Sequence, residues 1–201
     1  MALIAPFRAL RPAPASAARV AAVPYDVVNA EEAHALAEDN PLSFLHVSRA
    51  EIDLPAHTDP YSDAVYRKAA ENFEALKRQA PLVVEGSPSL YVYRLKMGNH
   101  LQTGVAGTFS IDEYEHGVIK KHEHTRRDKE DDRTRHMIEL RAQTGPVFLT
   151  HRTSAAVDQA VDPRIGEIVE VLEDLVVRRR HGEVQVRHRA DRAADVVRRH
   201  D

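Results

Sequence analysis

Apolar residues recur along the chain with two spacings, and these predict its elements. Between Ser62 and Gln79, Val65, Ala69, Phe73 and Leu76 follow one another at steps of four, four and three, the stripe of an amphipathic helix laid on a sheet. Alternation replaces that stripe in Ser89–Lys96 and Gln102–Ile111, with Tyr91, Tyr93 and Leu95 on one face. The Gly98-Asn99 step between these runs suits positive φ, so the pair reads as a hairpin. Ala2–Leu10 and Arg19–Val23 read as strands at a sheet edge, joined by the Ala/Pro/Ser stretch 11–18. Asn29, followed by Glu31 and Glu32, predicts a capped helix through about Ala37, which Asn40-Pro41 stops. Ser43–Val47 reads as a short strand, and Val147–Thr150 as a buried one. A charged helix is predicted over Arg127–Ala142, ending near Gly145-Pro146, and an apolar one over Ile165–Val177. A strand, Val184–His188, and a helix, Arg192–Arg199, follow.

These elements give an α+β fold, a mixed sheet with flanking helices, in a single domain spanning 1–201 with a strand-helix appendage from 151. A chain of this length buries roughly two-thirds of its unfolded surface and needs no staples. Cysteine is absent, which excludes disulfides, thiolate nucleophiles and zinc–thiolate sites and fits a reducing, cytoplasmic setting. No run approaches the roughly 20 apolar residues of a membrane span, so no membrane partner is expected. Net charge is -3, which gives the whole molecule no pull towards nucleic acid. Twelve histidines license no metal site by number alone.

The informative stretch is 119–133, where every residue from Arg126 to Arg133 is charged. Such a run is either a solvated helix laced by i,i+4 ion pairs or the wall of an anion site. If 121–125 is extended, His122 and His124 project to one side and Glu123 to the other, and Thr125 stands at the N-cap. Free N–H groups at that helix start, with His124, Arg126 and Arg127, would cradle a phosphate. A bare His-x-His fixes no third metal ligand, so no metal site is assigned. Asp26, in Pro24-Tyr25-Asp26, follows an apolar run and reads as a free carboxylate or an Asx turn. His46 and Ser48, with Arg49 and Glu51 after them, form a third cluster whose histidine is structural or ligand-binding.

Four segments in order carry a resemblance: 5–12 (Ala-Pro-Phe-Arg-Ala-Leu-Arg-Pro), Pro24-Tyr25-Asp26-Val27-Val28, 40–49 (Asn-Pro-Leu-Ser-Phe-Leu-His-Val-Ser-Arg), and His122-Glu123-His124-Thr125 with Lys129 and Asp132-Arg133. Together, over about the first 150 residues, they resemble the bacterial family catalogued as domain of unknown function 1015. Val23 stands where that family usually has a second proline. Members look remotely similar to the ParB/sulfiredoxin group, which includes free-serine kinases. The resemblance therefore implies a ParB/sulfiredoxin-like fold and phosphoryl transfer on free serine or O-phosphoserine, with ADP or ATP and Mg2+ as cofactor. Typical members are about twice this length and carry a downstream Asp-Gly-His-His-Arg motif that this sequence lacks, so a shortened member or an N-terminal half is expected.

Under that reading Glu123 or Asp26 orients or deprotonates the serine hydroxyl, and His122, His124 and Arg126 neutralise the transferred group. Thr125, Arg127, Tyr25, His46 and Arg49 complete the phosphate- and substrate-binding set. The rival reading is a nucleotide- or nucleic-acid-binding module without catalysis, supported only by the Arg-rich tail from Arg178 to Arg199. No aromatic is interleaved there, which argues against stacking on single strands.

Overall fold

A computed structural model describes residues 2–97, 99–121, 124–152, 154–161, 176–180 and 183–187. The described helices are α1 (Pro14–Val20), α2 (Ala30–Ala37), α3 (Leu45–Ser48), α4 (Asp63–Gln79), α5 (Ile111–Glu115), α6 (Arg127–Leu140) and α7 (Ala155–Val161), with a 3-10 turn at Ala50–Asp53. The strands are β1 (Ile4–Ala5), β2 (Leu10–Pro12), β3 (Leu82–Val84), β4 (Tyr91–Met97), β5 (His100–Ala106), β6 (Thr108–Phe109), β7 (Val176–Arg180) and β8 (Glu183–Arg187). The class is α+β. In place of one mixed sheet, four separate two-stranded antiparallel ladders form: β1 with β6, β2 with β3, β4 with β5 and β7 with β8.

The helical part owns the core. Helix α4 buries Val65, Tyr66, Ala69, Phe73 and Leu76, the predicted stripe plus one tyrosine. Around it gather Val20, Leu42, Val47 and Leu140, and Phe44 meets Phe73 edge to face at 6.3 Å. A second cluster, Val23, Val28, Ala33, Ala37 and Leu45, fixes α2 against α3. Asn29 closes a full capping box: its side chain accepts from Glu32 N, and Glu32 accepts from Asn29 N.

The extended N-terminal segment stitches the β part together. β1 pairs with β6, Phe7 bridges to Ser89, and β2 pairs with β3. Tyr91 packs its ring edge-on to Phe7 at 5.0 Å, accepts from Ala9 N and donates to Phe7 O. The β4–β5 hairpin has the predicted alternation, with Tyr91 opposite Ala106 and Tyr93 opposite Gly104. Gly107 lets the chain turn from β5 to β6, because a Cβ there would lie 2.5 Å from Ile4 Cγ1.

Several local expectations give way. Residues 14–20 are helical, because Pro14 preorganises a first turn and the following alanines favour helix. Ala21, Ala22 and Val23 of the predicted strand lie beyond the helix, and Val23 is buried. Ser43–Val47 is not a strand: Ser43 Oγ accepts from Leu45 N at 3.3 Å and starts α3. The acidic turn after β6 is the short helix α5, capped by Ser110. Val147–Thr150 is neither strand nor buried, with Val147 76% exposed, and no described strand pairs with it. Val176 and Val177, predicted as a helix end, lie in β7, while β8 matches the predicted strand. The rest of the helix over Ile165–Val177, and the helix over Arg192–Arg199, lie outside the described residues.

Candidate functional site

The helix that follows the histidine segment starts at Arg127, as expected, but its cap differs. Arg126, not Thr125, occupies the N-cap position, and it makes no side-chain cap. Arg126 instead turns its guanidinium onto Asp128, with Nη2 to Oδ2 at 2.7 Å, and this holds the Asp128 carboxyl below its usual range. His124, Thr125, Arg126 and Arg127 are exposed. His122 and Glu123 lie outside the described residues.

The charged helix nevertheless packs inward, through polar groups. Asp132 is buried and accepts the Tyr66 hydroxyl at 2.7 Å and Arg133 Nε at 2.9 Å. Burial, and then the bond to Asp132, push the Tyr66 hydroxyl's pKa up. One turn on, buried His136 donates Nε2–H to Val47 O at 3.1 Å and ties α6 to α3. Burial pulls the His136 pKa down, against a smaller opposing effect from that carbonyl. Lys129 donates to the Tyr61 hydroxyl, and Arg135 reaches Asp63 at 2.5 Å. Lys129, Arg133, His136 and Leu140 follow at helical spacing, so the stripe facing the body is mixed rather than apolar.

Two groups of predicted residues meet at Tyr25. The Arg133 guanidinium lies over the Tyr25 ring, 4.1 Å from its centroid. Arg49, at the C-cap of α3, sends Nη1 to Tyr25 O at 3.4 Å. Arg49 Nε is 2.9 Å from Glu51 Oε1, yet that buried nitrogen is not aligned for a hydrogen bond. Asp26, the next residue, is exposed. Segments around 25, 49 and 133 thus converge on one aromatic ring and its backbone, with two guanidinium groups and an exposed carboxylate.

His46 stands on the other side of the same short helix, in a cleft of about 340 Å3. Its Nδ1–H donates to both Asp53 oxygens, at 2.9 and 3.0 Å. Asn72 braces the pair, donating to His46 O at 2.6 Å and to Asp53 Oδ2 at 2.7 Å. His46 Nε2 is sealed from solvent and has no partner. Lys68 and Asn72, one helical turn apart on α4, line the cleft with Ser43, His46, Asp53 and Leu76. Lys68 Nζ lies 3.9 Å from Glu71 Oε2, beyond hydrogen-bond reach. Among the described residues, no group of three or more His, Asp or Glu side chains is arranged to hold a metal ion. No described helix is long and apolar enough to cross a membrane.

The family model for "Protein of unknown function (DUF1015)" matches residues 4–195. The chain belongs to the DUF1015 family. No curated protein and no solved structure matches it significantly. The match runs well past the four motifs read in the sequence, which end at Arg133. In this DUF1015 chain Tyr25, Arg49 and Arg133 come together, His46 enters a separate cleft, and His124 to Arg127 stay on the surface. Sequence reasoning missed Asp53, Lys68 and Asn72. The one signal for them was polar spacing: Lys68 and Asn72 recur at i,i+4 beside the apolar stripe of α4.

Proposed function

We propose that this chain takes part in phosphoryl transfer on free serine or O-phosphoserine, with ADP or ATP and Mg2+ as the nucleotide partner. The observation that carries the reading is the convergence of Arg49 and Arg133 on Tyr25 beside exposed Asp26. Phosphoryl transfer asks a protein for positioning and charge neutralisation more than for covalent chemistry, and guanidinium groups suit the planar oxygens of a phosphoryl group. Arg133 spends Nε and Nη2 on Asp132 and keeps further N–H groups for an anion. In this reading Asp26 orients or deprotonates the serine hydroxyl. Glu123 is the alternative to Asp26 in that role, and His122, His124, Thr125, Arg126 and Arg127 supply the remaining contacts to the phosphate. The remote likeness to ParB/sulfiredoxin proteins supports the same chemistry.

Phosphorus NMR on ATP with serine, and on ADP with O-phosphoserine, tests the proposal. Wild-type protein is expected to exchange phosphate in at least one pairing. Asp26→Asn is expected to slow it about 10²- to 10⁴-fold, the usual weight of a general base. Equal turnover in wild type and Asp26→Asn removes Asp26 from the reaction, and no turnover in either pairing removes the reaction itself.

A further inference from the structure

The cleft beside His46 is not used by the motif residues at Tyr25, yet it carries opposite charges in a confined space. Asp53 is held in place by two donors through three contacts: His46 Nδ1 on both oxygens and Asn72 on Oδ2. A carboxylate has about four acceptor sites, so Asp53 retains capacity for a further donor. Lys68 stands one turn before Asn72, and residues at that spacing lie roughly 5–6 Å apart on a helix face. Its ammonium pairs with Glu71 only loosely, at 3.9 Å, and makes no hydrogen bond to it. One anchored carboxylate and one available ammonium therefore share a cleft of about 340 Å3. That volume is at the low end of small-molecule sites, which leaves room for a metabolite of a few heavy atoms.

A ligand that satisfies both charges must itself carry a cation and an anion a few ångströms apart. An α-amino acid has its ammonium and carboxylate on one carbon. We infer that this cleft binds a free α-amino acid as its zwitterion, the ammonium on Asp53 and the carboxylate on Lys68. The identity of that amino acid as serine rests on the proposed function; the recognition of the zwitterion does not. His46 and Asn72 act as positioning residues, because they touch Asp53 and fix where its free lone pairs lie. The apolar wall from Val47 and Leu76 disfavours a fully hydrated ligand and strengthens both ionic contacts.

Calorimetric titration with glycine, L-serine, O-phospho-L-serine, N-acetyl-L-serine and L-serine methyl ester tests this. The expected result is binding of the free amino acids, with the acetylated and esterified forms at least tenfold weaker. Asp53→Asn is expected to erase the preference for serine over N-acetylserine, and Lys68→Gln the preference for serine over its methyl ester. Lys68 is partly exposed, so its variant folds even if Asp53→Asn loosens the 3-10 turn, and a thermal melt checks both. Blocked and free ligands binding equally, or no heat from any of them, overturns the inference. Amino-acid binding without phosphate exchange sustains the cleft and refutes the phosphoryl reading. Phosphate exchange that is indifferent to Asp53 and Lys68 does the reverse.

Discussion

Residues 17–80 and Leu140 supply every buried apolar side chain among the described residues, whereas the strands between 82 and 109 supply none. Val83, Leu95 and Leu101 are all more than two-fifths exposed, although each sits in a strand rich in apolar residues. The helices achieve burial because α4 offers a continuous stripe that three other segments cover. The ladders are two strands wide, and a pair of strands is marginal in water without a covered face. Apolar content is similar in the two parts; what differs is whether another layer lies on top of it. The hairpins hold their place through the Phe7–Tyr91 contact and backbone pairing with the N-terminal segment.

The sharpest way to break this comparison is to remove matched side chains from each part. Phe73→Ala is expected to cost about 3–5 kcal/mol, and Leu95→Ala about 0.5 kcal/mol or less, in denaturant titrations. Similar losses would mean that the hairpin is covered as well as the helix is. Next in size is the polar seam of α6: Tyr66→Phe takes away a buried donor and leaves Asp132 short of a partner, a cost of about 1–3 kcal/mol. A double substitution, Tyr66→Phe with Asp132→Asn, measures how much of that belongs to the pair.

A smaller effect follows from His136. Its pKa is lower in the folded chain than its ordinary value of 6.5, so the unfolded chain binds the extra proton first. Stability from this group is fully present above about pH 6.5 and declines as pH falls towards the folded pKa. His136→Gln is expected to flatten that part of the stability curve relative to wild type, and an unchanged slope would place the titration elsewhere. Tyr66 has the opposite sign: its pKa is raised, so its contribution holds up to about pH 10 and declines above that. The smallest effect is at Arg127, whose pair with Asp131 spans 3.9 Å in solvent; Arg127→Ala is expected to move stability by no more than about 0.5 kcal/mol.

What the sequence made legible was local. The α4 stripe, the Asn29 cap and the β4–β5 alternation are each written within a dozen or so residues, and each formed where it was expected. Short apolar runs misled, because Arg19–Val23 and Ser43–Val47 are too brief for period alone to separate strand from helix. Proline at the start of α1 and the Ser43 hydroxyl decided those cases. The charged run hid its packing for another reason. It offers no apolar side chain to a core, yet Asp132 docks on Tyr66, 66 positions away in sequence. No window of sequence announces such a partner. The candidate site shows the same division: Tyr25, Arg49 and His46 were found in motifs, while Asp53, Lys68 and Asn72 acquire meaning only when α4 and the 3-10 turn are brought side by side.

The N-terminal segment also sets an order of assembly. Thr108 bonds to Ala5 across 103 positions, and Phe7 waits for Ser89, so these closures span long loops. Contacts of that range form slowly compared with a helix and its neighbours. The helices are therefore expected to gather first, and the opening residues to find their partners last, as a late latch that draws the hairpins into place.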